Sequence, residues 1–129
     1  MSDKFKVEII SPDKFILKSE ANEVTIPSYE GEMGILKDHI PLITFLRPGI
    51  VSIKNQEGKE YYVEEGTVEF SNNNLLILTS TAKDLNNFNQ SLIDDLLQEA
   101  EKRLKDIETT DKEKYIVSYK IDTLKEISR

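Results

Sequence analysis

Every glycine (31, 34, 49, 58 and 66) and every proline (12, 27, 41 and 48) of this 129-residue chain lies within the first 66 positions, and the 63 residues that follow contain neither. Proline has no backbone N–H to give a helix, and both residues mark turns. A tail free of them is able to run as helix. The front half is cut too often for anything but short segments. The distribution predicts a β-rich front and a helical tail.

The hydrophobic pattern of the front half agrees. Phe5, Val7 and Ile9 alternate with Lys4, Lys6 and Glu8, the period-2 signature of a half-buried strand. Ser11-Pro12-Asp13 reads as a turn and Phe15-Ile16-Leu17 as the returning strand. Glu23-Val24-Thr25-Ile26 forms a third strand, expected to stop at Pro27. Ile50–Ile53 and Tyr61–Val63 flank Asn55-Gln56-Glu57-Gly58 as a hairpin, and Thr67–Phe70 and Leu75–Leu78 flank the Asn-rich turn 71–74. Short strands at this spacing predict an antiparallel β-sandwich or flattened barrel over residues 1–84.

Residues 81–88 read as the joint to a second unit, 85–129. There Leu92, Ile93, Leu96, Leu97, Ala100, Leu104 and Ile107 recur at helical spacing and make one apolar stripe. Glu99 with Arg103 and Glu101 with Lys105 are i,i+4 pairs in the favourable order. Thr110 with Glu113 fits a capping box that opens a second helix, although Tyr115-Ile116-Val117 suits a strand equally well. The break between the two segments is short, so the expected tail is an antiparallel two-helix hairpin.

Composition removes whole classes of function. With no cysteine there is neither a disulfide nor a thiolate metal site, and a single histidine makes a conventional zinc site unsupported. A net charge of −7 argues against a nucleic-acid partner. No apolar stretch approaches the length of a membrane span, and the charged start Met1–Lys6 has no apolar run behind it as a targeting signal would. His39 as a general base lacks a visible nucleophile and orienting partner, and a hydrogen-bonded loop histidine accounts for it as well. Asp94 and Asp95 are adjacent, so on a helix they diverge by about 100° and form no catalytic dyad. No phosphate-cradling glycine motif is present. No catalytic residue, cofactor or metal is expected.

One segment remains peculiar. From Ile26 to Val51 the chain reads IPSYEGEMGILKDHIPLITFLRPGIV, with Met33, Ile35, Leu36 and Leu42 set among turn residues and two acids. A docking surface looks like this, and so does a set of sandwich corners. The segment resembles the epsilon subunit of bacterial F-type ATP synthases in Glu30-Gly31-Glu32, Gly34-Ile35-Leu36, His39, Pro41-Leu42-Ile43-Thr44 and Arg47-Pro48-Gly49. The likeness continues more loosely through Tyr62-Val63, Gly66, Val68-Glu69-Phe70 and Leu76-Ile77-Leu78, and spans essentially the whole chain.

The resemblance implies a non-catalytic rotor subunit of the central stalk, bound to gamma and to the c-ring. Carried over by position, Glu30, Glu32 and Met33 are expected to meet the c-ring, and His39 and Leu42 to meet gamma. The resemblance further implies a hairpin that extends toward the catalytic beta and alpha subunits and blocks ATP hydrolysis, with Lys102, Arg103, Lys105, Lys120, Lys125 and Arg129 as the basic residues meeting them. Some members bind ATP through an I-D-x-x-R-A motif. Here Ile93-Asp94-Asp95-Leu96-Leu97-Gln98 keeps Asp94 but has Leu97 and Gln98 for the Arg and Ala, so a bidentate phosphate donor is missing and no nucleotide site is expected. The implied location is peripheral, on the cytoplasmic side of the bacterial plasma (inner) membrane. Without the resemblance, the residues describe a stand-alone acidic β-sandwich adaptor whose helices bind a partner protein.

Overall fold

Ten strands and two helices follow one another in the computed structural model, which describes residues 3–128. The strands are β1 (Phe5–Ile10), β2 (Phe15–Ala21), β3 (Glu23–Ser28), β4 (Gly31–Leu36), β5 (Leu42–Leu46), β6 (Gly49–Lys54), β7 (Lys59–Val63), β8 (Gly66–Ser71), β9 (Asn74–Leu78) and β10 (Lys83–Asp84). A single 3₁₀ turn at Leu85–Asn87 leads into α1 (Gln90–Lys105) and α2 (Asp111–Ile127).

The strands form one sheet in the order β10-β7-β6-β3-β5-β8-β9-β1-β2, with β4 on the other side of β3. The step from β3 to β5 rests on the single pair Ser28–Leu46, so the sheet folds there into two layers. One layer holds β10, β7, β6, β3 and β4, the other β5, β8, β9, β1 and β2. The pairing is antiparallel except between β1 and β9, which run parallel. Between the layers, Val7, Ile9, Val24, Ile26, Val63 and Ile77 are wholly buried, with Phe5 set edge-on against Phe70 at 5.5 Å. The corner requires glycine, because a Cβ on Gly49 would lie 2.4 Å from the Cβ of Pro27.

Several expectations from the sequence are corrected. Pro27 does not end the third strand. It stays paired with Glu32 in β4, and its carbonyl accepts the Arg47 N–H at 2.9 Å, so the missing donor costs the sheet little. Within the segment set among turn residues, only Tyr29 and Glu30 turn before β4, and Gly31 already begins that strand. Ile107 leaves the apolar stripe, because α1 ends at Lys105 and the side chain is 95% exposed in the interhelical turn. The pairing expected between Glu99 and Arg103 gives way to one across the hairpin, where Arg103 binds Glu113, and Glu101 and Lys105 form no ion pair. Residues 115–117, which suited a strand equally well, are helical, as the Thr110–Glu113 capping box dictates.

The helices are capped as their sequences prescribe. Asn89 accepts the Leu92 N–H at 2.8 Å, and Lys102, Arg103 and Lys105 sit in the last turn of α1, where a cation is favoured by the helix dipole. The Glu113 carboxyl is held below its ordinary range by hydrogen bonds from the Thr110 N–H and hydroxyl and from Arg103.

Candidate functional site

Adjacent residues of a strand point to opposite faces. In β7 this sends Tyr61 into the sandwich core and Tyr62 outward, where both are almost fully buried. Tyr62 is covered by the hairpin: Ile93 and Leu124 pack on it, with Phe88 edge-on at 5.4 Å. Burial, and then the neighbouring Glu64 carboxylate, pushes the Tyr62 hydroxyl far above its ordinary value, and that hydroxyl donates to Glu64 at 3.0 Å. Lys120 of α2 reaches the same carboxylate at 3.2 Å. A second clasp lies at the corner. The Arg47 guanidinium stacks 3.8 Å from the centre of the Tyr119 ring, Tyr119 meets Tyr115 edge-on, and the Thr123 hydroxyl donates to its own helix at Tyr119 and reaches the Pro48 carbonyl at 3.5 Å. The hydrogen bond between the two tyrosines lowers the Tyr115 hydroxyl and raises that of Tyr119.

The hairpin thus covers the outer face of one layer. The outer face of the other is bare. Cross-strand register places Phe45, Thr67, Leu78, Ile10 and Phe15 in one row across β5, β8, β9, β1 and β2. Phe45 and Phe15 are 59% and 60% exposed, and Ile43, two residues from Phe45 on the same face, is 72% exposed. Beside the row lies an open groove of about 880 Å³ lined in part by Pro12, Tyr29, Phe45, Leu78 and Thr79. Its floor is fixed at Gly66, whose φ of +154° brings its Cα so near the Leu78 carbonyl that a Cβ would stand 2.6 Å from the oxygen. Thr79 donates to the Glu65 carbonyl at 2.6 Å and exchanges a hydrogen bond with Thr81, closing this end of the sandwich.

The residues singled out from the sequence are spread over three places. Glu30 and Glu32 are exposed at the tip of the β3–β4 hairpin, whereas Met33 packs partly against the core. The turn between them is tied by the Ser28 hydroxyl donating to the Gly31 carbonyl at 2.6 Å. His39 is a hydrogen-bonded loop histidine, its Nδ1 2.7 Å from the Ile40 carbonyl oxygen and its ring edge-on to Phe70 at 6.0 Å. Leu42 lies opposite Phe70 and is partly buried against the core. Lys102, Lys105 and Lys125 are exposed; Arg103 and Lys120 hold Glu113 and Glu64. Arg129 lies outside the described residues. Asp94 is exposed and accepts from Gln90 at 2.8 Å. Among the described residues no cluster of acidic, histidine or cysteine side chains is arranged to hold a metal, and no helix is long and apolar enough to cross a membrane.

The sequence reading missed Phe45, Ile43, Leu78, Ile10 and Phe15 as a surface. A signal was present. Leu42-Ile43-Thr44-Phe45-Leu46 is apolar on both faces of its strand, and one sandwich core uses only one.

Comparison with known proteins fits this architecture. Residues 4–84 match the family described as ATP synthase, Delta/Epsilon chain, beta-sandwich domain. The chain is 48% identical over 130 residues to the ATP synthase epsilon chain of Pelagibacter ubique (strain HTCC1062), covering 99% of this chain and 100% of the relative. To the epsilon chain of Dichelobacter nodosus (strain VCS1703A) it is 36% identical over 107 residues, covering 81% and 75%. In fold it is similar to a chain of the Euglena gracilis mitochondrial ATP synthase (OSCP/F1/c-ring, rotational state 1), with a TM-score of 0.83 at 21% identity over 100% of this chain and 84% of that one. A chain of the Tetrahymena thermophila mitochondrial ATP synthase central stalk and c-ring gives a TM-score of 0.65 at 17% identity, covering 96% of each. The sandwich family match and a relative 48% identical along nearly the whole chain converge, and the chain belongs to the ATP synthase epsilon chain family.

Proposed function

We propose that this chain is a non-catalytic rotor subunit of an F-type ATP synthase that joins gamma to the c-ring. Its relation to epsilon chains along the whole sequence is the observation that carries the reading. The chain transmits torque and leaves chemistry to its neighbours, which suits a molecule whose distinctive surfaces are docking faces. The row Phe45-Thr67-Leu78-Ile10-Phe15, with Ile43 beside it, is the face for gamma; His39 and Leu42 lie against Phe70 further along the same strands. Burying such a row is the source of affinity, since a few central apolar anchors dominate an interface. The exposed Glu30 and Glu32, with Met33 behind them, face the c-ring, where rim charges steer association. In the assembled enzyme the chain is peripheral, on the cytoplasmic face of the plasma membrane.

The test is stoichiometric copurification of the full chain with its cognate gamma subunit. Phe45→Asp is expected to weaken the complex by about thirtyfold or more, the loss of one interface hot spot. A parent chain that ignores gamma is instead the stand-alone adaptor.

The hairpin extends to restrain ATP hydrolysis under this reading, and its thin attachment supports that role. Extension requires Tyr62, Ile93 and Leu124 to part, and frees Lys120 from Glu64. Lys102, Lys105 and Lys125 are exposed already, whereas Arg103 keeps Glu113 within the hairpin. Removing the residues after Phe88 is expected to raise ATP hydrolysis by the assembled complex; an unchanged rate counts against inhibition.

A further inference from the structure

We propose that Asp38 and Asn73 form a positioning pair that holds residues 37–41 in the shape gamma recognises, so that Ile40 is presented together with Ile43. The proposal rests on the gamma-docking reading above and adds to it two residues that are polar and lie off the apolar row.

The two residues sit 35 positions apart and bind each other twice. The Asp38 N–H donates to the Asn73 Oδ1 at 2.7 Å, and the Asn73 Nδ2 donates to the Asp38 Oδ1 at 3.0 Å. Both have left-handed backbone, φ 66° and 58°, a conformation that outside glycine is reached mainly by Asn and Asp. Asn73 is itself anchored, because its carbonyl accepts the Lys6 N–H of β1 at 3.0 Å. The turn between β8 and β9 therefore serves as the fixed point to which the β4–β5 connection is tied.

What the ties hold is the informative part. The His39 N–H donates to the Leu36 carbonyl at 3.1 Å, its ring rests on Phe70, and Pro41 follows Ile40 with a fixed φ. Between these fastened neighbours Ile40 stands 75% exposed. An isoleucine left in water adds nothing to folding. Ordering the segment around it lowers the entropic cost of binding, since each backbone residue that must be fixed on association weakens the equilibrium by about a factor of ten.

The experiment is a binding and exchange series on the full chain with the cognate gamma subunit, run well below the thermal midpoint of every variant. Asn73→Ala is expected to weaken gamma binding roughly tenfold, with amide exchange quickened in residues 37–42 and the hairpin unaffected. Asn73→Asp sets two carboxylates face to face and is expected to weaken binding at least as much. Combining it with Asp38→Asn reverses donor and acceptor in the side-chain bond and restores it, while the backbone N–H of residue 38 keeps its acceptor on residue 73 throughout, so the double variant is expected within about threefold of the parent. A purely structural role predicts lowered melting temperatures without this loss and recovery of affinity. Binding of Asn73→Ala within twofold of the parent overturns the proposal, as does a double variant no better than Asn73→Asp alone. If Phe45→Asp abolishes binding while Asn73→Ala does not alter it, the docking reading stands and the positioning pair falls. If the parent chain does not bind gamma, both fall.

Discussion

Between the layers of the sandwich, large side chains from eight of the strands are buried, among them Phe5, Ile26, Ile35, Ile53 and Phe70, whereas the hairpin meets the sandwich through Tyr62, Ile93 and Leu124 and a few partly buried neighbours. The rest of the hairpin's attachment is polar: Lys120 on Glu64, Arg47 on Tyr119, and Thr123 near the Pro48 carbonyl. An apolar core of many interlocked residues opens only as a unit. A small apolar contact edged with one partly exposed ion pair is expected to open before it, because such a pair adds little in water. The difference teaches how one chain of this length can hold two regions together with very different firmness.

Three experiments press on that contrast. The largest effect is expected from Phe70→Ala, which empties the site shared by Phe5 and His39 and should cost about 3–5 kcal/mol. Both regions should then melt together in a calorimetric scan; a hairpin that survives the sandwich would break the comparison. Leu124→Ala comes next, at about 2–5 kcal/mol, but its loss is expected in the hairpin alone. Hydrogen exchange should show helix amides unprotected while those of β6 and β8 keep their protection.

The smallest effect is alkaline. Burial and Glu64 raise the Tyr62 hydroxyl above its ordinary value of 10.0, so the unfolded or undocked chain gives up this proton first. The contribution of the group is therefore complete below pH 10 and is lost as pH rises past it. Tyr61 is raised too, by burial and then by Asp84, so the sandwich also softens in alkali. Tyr62→Phe should remove the hairpin's share, seen as helix undocking that no longer depends on pH above 10 in a circular dichroism titration.

Much of the fold was legible from the chain. Alternation in β1 and short apolar runs between turn residues elsewhere located most strands, the Asn-rich turn and the Asn55–Gly58 hairpin stand where their chemistry put them, and Thr110 with Glu113 opens the second helix. The errors share a cause. Pro27 was read as a terminator because local rules ignore that its carbonyl has a partner 20 residues away in Arg47. Ile107 was placed on the stripe by spacing, although capping by Thr109 and Asp106 had already closed α1. The Arg103 pairing was sought along its own helix, and the guanidinium chose the neighbouring one.

Of the candidate site, the Ile26–Val51 segment was legible as a whole, but which of its side chains face outward was not. His39 and Leu42, expected at gamma from the resemblance, lie against Phe70, while Ile43 and Phe45 face outward.

The sequence by itself determined the division into sandwich and hairpin, the turns, the caps and the absence of cysteine chemistry, because those follow from interactions within a few residues. Only the tertiary structure decided which faces remain uncovered. An apolar strand face is buried or bare according to what packs over its layer. The hairpin settles on Tyr62 and leaves Phe45, Leu78 and Phe15 open on the other side.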